Sequence, residues 1–564
     1  MKKLFSYFAA ALLLMAATAW AQEQPSGPSS NNPSDNATAG STTPTPSDLE
    51  QLKAMVMAQQ KQLEEQARQI QELKQQLEPR VVNATLSTSA APRTVQPASD
   101  GATAVAQETE KPKTSPLSFR IGAAEFTPGG FVDFENIFRT VNTGNAASTN
   151  LGAFPFSNTV QGHLTEFKST GQYSRLNLKT AAKFGRNDVT GYIEFDFNGN
   201  DAANVFVTSN GHTPRLRLYW LDLKRGKWEF LAGQTWGLTT PNRVGVSPNP
   251  ADLSLGYQED ASIGVGYNYT RAAEFRAAYH FNDHWVWAVA AQNPDQFVGA
   301  GETLFPFQFN AQLGVQFDAA NQTATPNLMP DFITKIAFDR KFMGEHQFHF
   351  EVGGLETTVK ATVLPTAPGS AFHSITNTGG GYFGDVLVDL WRGSEGRNIK
   401  FVASGMGGYG VGRYTGAALA PQTIVVPIGA TGAFDARLSQ VHAYDFVGGF
   451  EVLPHPKAQF AFLYGATYAQ RNFFCDITSP SAGTCNGKPF GGFGGPNSPN
   501  SANRAIQEGT IDWTQTFWRN PQYGAVYLVM QASYLTRAPW FVPAGAPKNA
   551  HMVMGFLSVR YALP

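Results

Sequence analysis

The sequence predicts an all-β protein, a 16-stranded antiparallel transmembrane β-barrel preceded by an N-terminal coiled-coil helix. Three observations predict it: polar and apolar residues alternate along short runs, the connections between runs sort by length, and no apolar stretch after the N-terminus is long enough for a membrane helix. A spanning helix needs roughly 18 or more apolar residues, and no run beyond the first residues approaches that.

The alternation is clearest between Arg175 and Trp236. Ile193, Phe195 and Phe197 form one face of a run whose other face is Tyr192, Glu194, Asp196 and Asn198. Successive strand side chains point to opposite sides, so such a run has one dry face and one wet face. By the same reading Leu216, Leu218 and Trp220 share the apolar face of the run that starts at Arg215. The window alone fits two architectures: a soluble sheet on a core, or a barrel with lipid outside and water inside.

Connection lengths favour the barrel. Strands are expected near 129–139, 173–183, 188–198, 214–223, 227–236, 273–281, 284–292, 331–340, 345–356, 382–391, 398–409, 441–453, 457–470, 509–518, 522–535 and 550–561. Every second connection is a short turn, such as 184–187 or 224–226. The others are long: 140–172, 199–213, 237–272, 293–330, 357–381, 410–440, 471–508 and 536–549. Short turns at one end, long loops at the other and an even strand number describe an outer-membrane barrel. Ile263–Thr270 and Phe305–Phe317 are apolar enough for strands and are assigned to loops. Trp220, Trp236, Trp285, Trp287, Trp513, Trp518, Tyr523, Trp540 and Tyr561 fall near expected strand ends, as interfacial girdles do.

The N-terminal part divides by composition. Residues 1–21 have a basic start, a short apolar run and an Ala-x-Ala site, the layout of a cleaved signal peptide. Residues 22–46 are rich in Pro, Ser, Asn and Thr and predict a disordered linker. In 47–78, Leu49, Val56, Leu63, Ile70 and Leu77 occupy a positions of a heptad, with Leu52, Gln59, Gln66 and Leu73 at d. That pattern predicts a coiled coil; it does not separate a dimer from a trimer. Residues 79–116 form a second flexible linker and 117–564 the barrel.

The Arg175–Trp236 region resembles the DcaP-like family of outer-membrane porins. Ser174, Arg175 and Leu176, the run Tyr192 to Phe197, Arg215 to Arg217, and above all Ala232, Gly233, Gln234, Thr235 and Trp236 carry the resemblance, with Gln292, Asn293 and Pro294 later. The close match covers about 120 residues. It implies a trimeric 16-stranded barrel in the bacterial outer membrane, its coiled coil in the periplasm, passing small anionic solutes such as dicarboxylates. Its expected partners are two further copies of the chain, held through barrel and coiled coil, outer-membrane lipid and the solute. The chain ends Tyr561, Ala562, Leu563, Pro564, where porins usually end on an aromatic residue.

Extending the alternation places Arg175, Lys179, Arg215, Arg217 and Arg276 on the lumen wall, with Glu194, Asp196 and Glu274 among them. Guanidinium groups bind carboxylate or phosphate through two parallel hydrogen bonds, so the arginines favour oxyanions. The competing expectation is that they pair with those acids and stiffen the wall. The third long connection, 237–272, carrying Arg243 and Arg271, is expected to fold inward as a constriction loop; the alternative is an exposed loop. Cys475 and Cys485, the only two cysteines, sit in one exported loop and predict a disulfide.

Catalysis has little footing. The ten histidines are scattered, without metal-ligand spacing or a nucleophile–His–acid grouping, so no metal and no cofactor is expected; an outer-membrane hydrolase is the enzyme alternative. His346 falls on the opposite strand face from His349 and Glu351, which read as lumen polar residues. A net charge of -1 and the lack of a basic run exclude nucleic acid. The alternative functions are a non-conducting surface or cell-wall-anchoring protein, whose coiled coil could reach peptidoglycan, and a soluble exported β-protein.

Overall fold

The computed structural model describes residues 115–564 apart from 145–146, 200–211, 250–262, 297–308, 318–328, 416–419, 475–487, 491–502 and a few further loop positions. The expected signal peptide, first linker and coiled coil, nearly all of the second linker, and both cysteines lie outside the described residues.

Sixteen antiparallel strands form the wall, each overlapping one of the expected runs. They are β1 (Ala124–Arg139), β2 (Arg175–Phe184), β3 (Asn187–Asp196), β4 (Arg215–Arg225), β5 (Trp228–Trp236), β6 (Arg271–His280), β7 (Trp285–Gln292) and β8 (Asp331–Phe342). The second half is β9 (His346–Val363), β10 (His373–Arg392), β11 (Asn398–Tyr409), β12 (His442–His455), β13 (Ala458–Ala469), β14 (Asn503–Asn520), β15 (Gly524–Pro539) and β16 (Ala550–Ala562). Each pairs with the next, and β1 pairs with β16 in the register Phe131↔Ala562 to Arg139↔Met554, closing the sheet. Closure satisfies the backbone groups that an open edge would leave bare.

The outer face is apolar along the strands, with Phe275 75% and Leu221 55% exposed. Ile193 and Phe195 lie on this face, half-buried between their neighbours. No helix among the described residues is long and apolar enough to cross a membrane. Trp228, Trp285, Trp287, Trp518, Tyr523 and Tyr561 are exposed, as girdle residues should be. Trp220 and Trp236 are not: both are buried on the inner side. The cause is local. A register shift between Glu194 and Phe195 against β4 turns Leu218 inward beside Arg217, and thereafter Trp220 and Asp222 point in while Tyr219, Leu221 and Leu223 point out. A bulge of this kind reverses the alternation past it, so the expected shared face of Leu216, Leu218 and Trp220 splits at Arg217.

Several strands outgrow their predicted lengths. A tilted strand crosses a bilayer in about 9–11 residues, yet β9 has 18 and β10 has 20. The expected long loop 357–381 is therefore mostly hairpin, leaving 364–372 as its tip. Above the wall, the loop from β11 to β12 forms its own hairpin, Thr423–Ala430 with Ala433–Gln440. It packs with Phe309, Leu313 and Phe317, the last two around the short helix Asn310–Leu313, against Val359 and Val363 of β9. Phe305–Phe317 thus gives a helix and not a strand where it is described.

Candidate functional site

The inner face is built from the same alternation. Tyr192, Glu194 and Asp196 point inward from β3, Arg217 from β4, and Glu274 and Arg276 from β6. Arg215 Nη2 lies 2.6 Å from Asp196 Oδ2, and Arg217 lies 2.7 Å from Glu194 and 2.8 Å from Asp196. Arg276 Nε donates to Glu274 at 2.9 Å, and its Nη1 donates to the Val246 carbonyl at 2.9 Å. Three of the five expected wall cations are thus paired with the three expected acids, the stiffening arrangement foreseen as the alternative.

Arg175 and Arg271 differ. Neither has an ion pair among the described residues. Arg175 stands 5.5 Å from the centre of the Phe131 ring, which Arg560 of β16 also covers at 4.3 Å. Arg271 and Arg217 lie 5.7 and 5.9 Å from the centre of the Trp236 ring. A cation near a ring is held by the ring quadrupole without spending its hydrogen-bond donors. Lys179 shares the inner face of β2 with Arg175 by parity. Arg271 is the first residue of β6, paired with Trp236, and not part of the loop before it as expected.

The glycine of the Ala232–Trp236 motif has a packing role. Gly233 has φ +138°, and a Cβ there would lie 2.2 Å from the Tyr219 carbonyl and 2.9 Å from Trp220 Cβ. Only glycine lets β4 and β5 close there with Trp220 turned in, stacked on Tyr192 at 5.4 Å.

Three long loops fold inward. Between β1 and β2, Leu151 and Phe154 are fully buried, and the Phe154 carbonyl accepts from Arg537 Nε at 2.7 Å. Between β11 and β12, Tyr414 donates to Asp331 Oδ2 at 2.6 Å and lies beside Arg413. The loop from β5 to β6 does so in both of its described parts, 237–249 and 263–270. Its first part runs along β8, β9 and β12: Lys335 Nζ donates to the Thr240 carbonyl at 2.8 Å, Gly245 N to Asp339 Oδ2 at 2.9 Å, and both outer nitrogens of Arg243 to the Glu451 carboxylate. Its last part docks further along the same side, on β11 to β14. Val265 N donates to Glu508 at 2.8 Å, Ser404 to Asn268 at 2.6 Å, and Tyr267 packs on Val402, Val447 and Leu463. Ile263–Thr270 is therefore an irregular crossing segment that takes no strand partner. Gly465 of β13 makes room for it, since a Cβ there would lie 1.8 Å from the Val265 carbonyl.

Sequence reasoning missed the far wall. From β8 to β14 the inner face carries Lys335, Glu351, Asp385, Asp389, Asp445, Glu451, Glu508 and Asp512, all buried. Only His349 and Glu351 were read as lumen residues. Asp385 and Asp389, and Glu508 and Asp512, lie four apart, and Asp445 and Glu451 six apart, so each pair shares one strand face, and the same alternation, carried past β6, would have found them. His349, Glu351 and Asp385 form the only described group with metal-ligand geometry. Lys335 Nζ sits 2.9 Å from Glu351, a cation already in place there.

No protein-family model matches the chain, and no curated protein is similar to it in sequence. Among solved structures the chain is similar to the outer-membrane channel DcaP of Acinetobacter baumannii: TM-score 0.53, 15% identity, over 78% of this chain and 98% of that one. An anion-selective porin from Comamonas acidovorans aligns over 78% and 100% of the two chains at 8% identity and TM-score 0.42. OmpT of Vibrio cholerae aligns over 79% and 99% at 9% identity and TM-score 0.39; these two likenesses are too loose to carry an argument. The fold, then, is that of the DcaP outer-membrane channel, a family this chain resembles in architecture.

Proposed function

We propose that the barrel is an outer-membrane diffusion channel for small anionic solutes, dicarboxylates among them, which move along the arginine side of the lumen. A closed barrel with an apolar belt and a charged interior supports the channel reading. The observation that carries the anion preference is the pair Arg175 and Arg271, guanidinium groups on the inner wall held by aromatic rings and without ion pairs among the described residues. A low-dielectric wall focuses such charge onto a passing ion, and the planar fork suits a carboxylate. Arg243, on the inward-folded loop, would face this wall from the other side of the constriction. A homotrimer, the periplasmic coiled coil and a cystine at Cys475 and Cys485 complete the proposal.

A second reading, a non-conducting mount for surface or cell-wall anchoring, is favoured by the depth to which Leu151, Phe154 and Tyr414 are buried in the inward-folded loops. Planar-bilayer recording separates the two. The channel reading expects discrete steps and, under a salt gradient, a reversal potential of anion-preferring sign. Replacing Arg175→Glu and Arg271→Glu together should move that potential towards cation preference. Cation preference in the unmodified protein would overturn the solute class; a silent bilayer would overturn the channel. Proteoliposome swelling with dicarboxylates, phosphate and neutral sugars then ranks the solutes.

A further inference from the structure

One junction away from the arginine wall joins a titratable ring, two wall carboxylates and the loop that crosses the lumen. His349 on β9 lies directly opposite Asp339 on β8. Its Nδ1 is 2.8 Å from Asp339 Oδ1, and its Nε2 is 3.2 Å from Glu351 Oε2. The remaining oxygen of each carboxylate takes a backbone amide of the loop: Gly245 N donates to Asp339 Oδ2 at 2.9 Å and Asn242 N to Glu351 Oε1 at 3.2 Å. Lys335 Nζ completes the set, donating to Glu351, to Asn242 Oδ1 and to the Thr240 carbonyl.

We propose that His349 is a proton-dependent latch, holding the inward-folded segment 240–245 against the wall while its ring is an imidazolium and releasing it when the proton leaves.

An ionised carboxylate is acceptor-only, so a ring with one facing each nitrogen is satisfied on both sides only when both nitrogens carry hydrogen. Neutral imidazole donates to one carboxylate and turns a lone pair on the other. The ring is fully buried, so no solvent proton stands in for the lost one. The surrounding charges sharpen the effect. Asp339 and Lys335 face the ring from β8, and Glu351 from its own strand. Asp385 of β10 lies directly opposite Glu351. Asp389 of β10, Lys400 of β11 and Arg243 of the loop lie just beyond, joined through Gln347 and each other. With the proton in place, Asp339, Glu351 and Asp385 are opposed by an imidazolium and Lys335. Without it Lys335 stands alone against the three carboxylates, and the carboxylate that meets the ring's lone pair is repelled from its place.

The test compares the full-length protein with His349→Gln, using hydrogen exchange of the 240–247 segment and bilayer conductance from pH 6 to pH 10. After correction for intrinsic exchange, the unmodified protein should lose protection of this segment as pH rises. The variant should begin unprotected by roughly tenfold and stay flat, the scale of losing one charge-assisted hydrogen bond. Conductance should rise with pH only in the unmodified protein. Equal protection in both proteins across the range, or an equal pH response, would overturn the latch. Should His349→Gln fail to fold, Asp339→Asn removes one gripping carboxylate at constant shape and is expected to flatten the response in the same way. The conductance arm rests on the channel reading and the exchange arm does not. A silent bilayer with pH-dependent exchange therefore sinks the channel and leaves the latch.

Discussion

The two sides of the lumen use the same charges to different ends. On the β2–β6 side, Arg215, Arg217 and Arg276 are tied to acids on their own or adjacent strands, while Arg175 and Arg271 rest on rings. On the β8–β14 side the acids mostly hold something else: Glu351 and Asp339 grip loop amides, Glu451 takes Arg243, and Glu508 takes Val265 N. One wall pairs its acids with its own arginines, with Arg276 also reaching the loop at Val246, and leaves two cations on rings. The other is a dock for a loop. A charge locked between two partners stiffens a wall, whereas one whose partner can move away is available to a ligand or a gate.

The largest effect should come from breaking the closed side. Arg217 is buried between Glu194 and Asp196. Arg217→Ala would leave both carboxylates without it, and losing one partner of a buried pair costs about 3–5 kcal/mol. A fall of that size in denaturant stability is expected, read from the heat-modified gel shift. Arg271→Ala, with no ion pair to break, should leave stability nearly unchanged and alter ion preference alone. Equal destabilisation by the two would mean that they are not different kinds of arginine.

That contrast also marks what the sequence could show. Strands β2 and β3, and β6 from Glu274 onward, keep the alternation, so Arg175, Glu194, Asp196, Glu274 and Arg276 were legible as inner-face residues, whereas Arg271 at the start of β6 departs from it to reach Trp236. On β4 the bulge at Arg217 was not, because a one-residue register shift leaves no trace in a hydrophobic pattern; Leu218 and Trp220 were misplaced for that reason. The sixteen strands were legible because turn chemistry and length sorting repeat around the barrel. The pairing of each arginine was not, since strand neighbours fix faces but not rotamers. The inward path of 237–270 was expected from its place in the order of connections. Its docking on β8–β14 depends on contacts across the lumen, between residues more than 200 positions apart at Val265 and Glu508.

An intermediate effect should follow from filling the dock. Gly465→Ala puts a methyl carbon where the Val265 carbonyl now lies. Overpacking of this kind costs about 1–3 kcal/mol, and the loop is the part that can yield. Hydrogen exchange should rise across 263–269 while β12 and β13 stay protected. Loss of protection throughout those strands instead would place the methyl in the wall and not in the dock.

The smallest effect tests the loop's other anchor. Arg243 keeps 14% of its side chain exposed, against 5% for Glu451, so water can partly replace the pair. Arg243→Gln keeps a donor for one carboxylate oxygen and removes the charge. Stability should fall by only about 1 kcal/mol, the scale of exchanging a charged donor for a neutral one that still reaches the carboxylate. If Arg243 serves the constriction, the same change should weaken anion preference, and less than Arg175→Glu with Arg271→Glu, because Glu451 already cancels most of its field. A larger shift from the single loop change than from the two wall changes would invert the comparison: the dock, and not the wall, would then choose the ion.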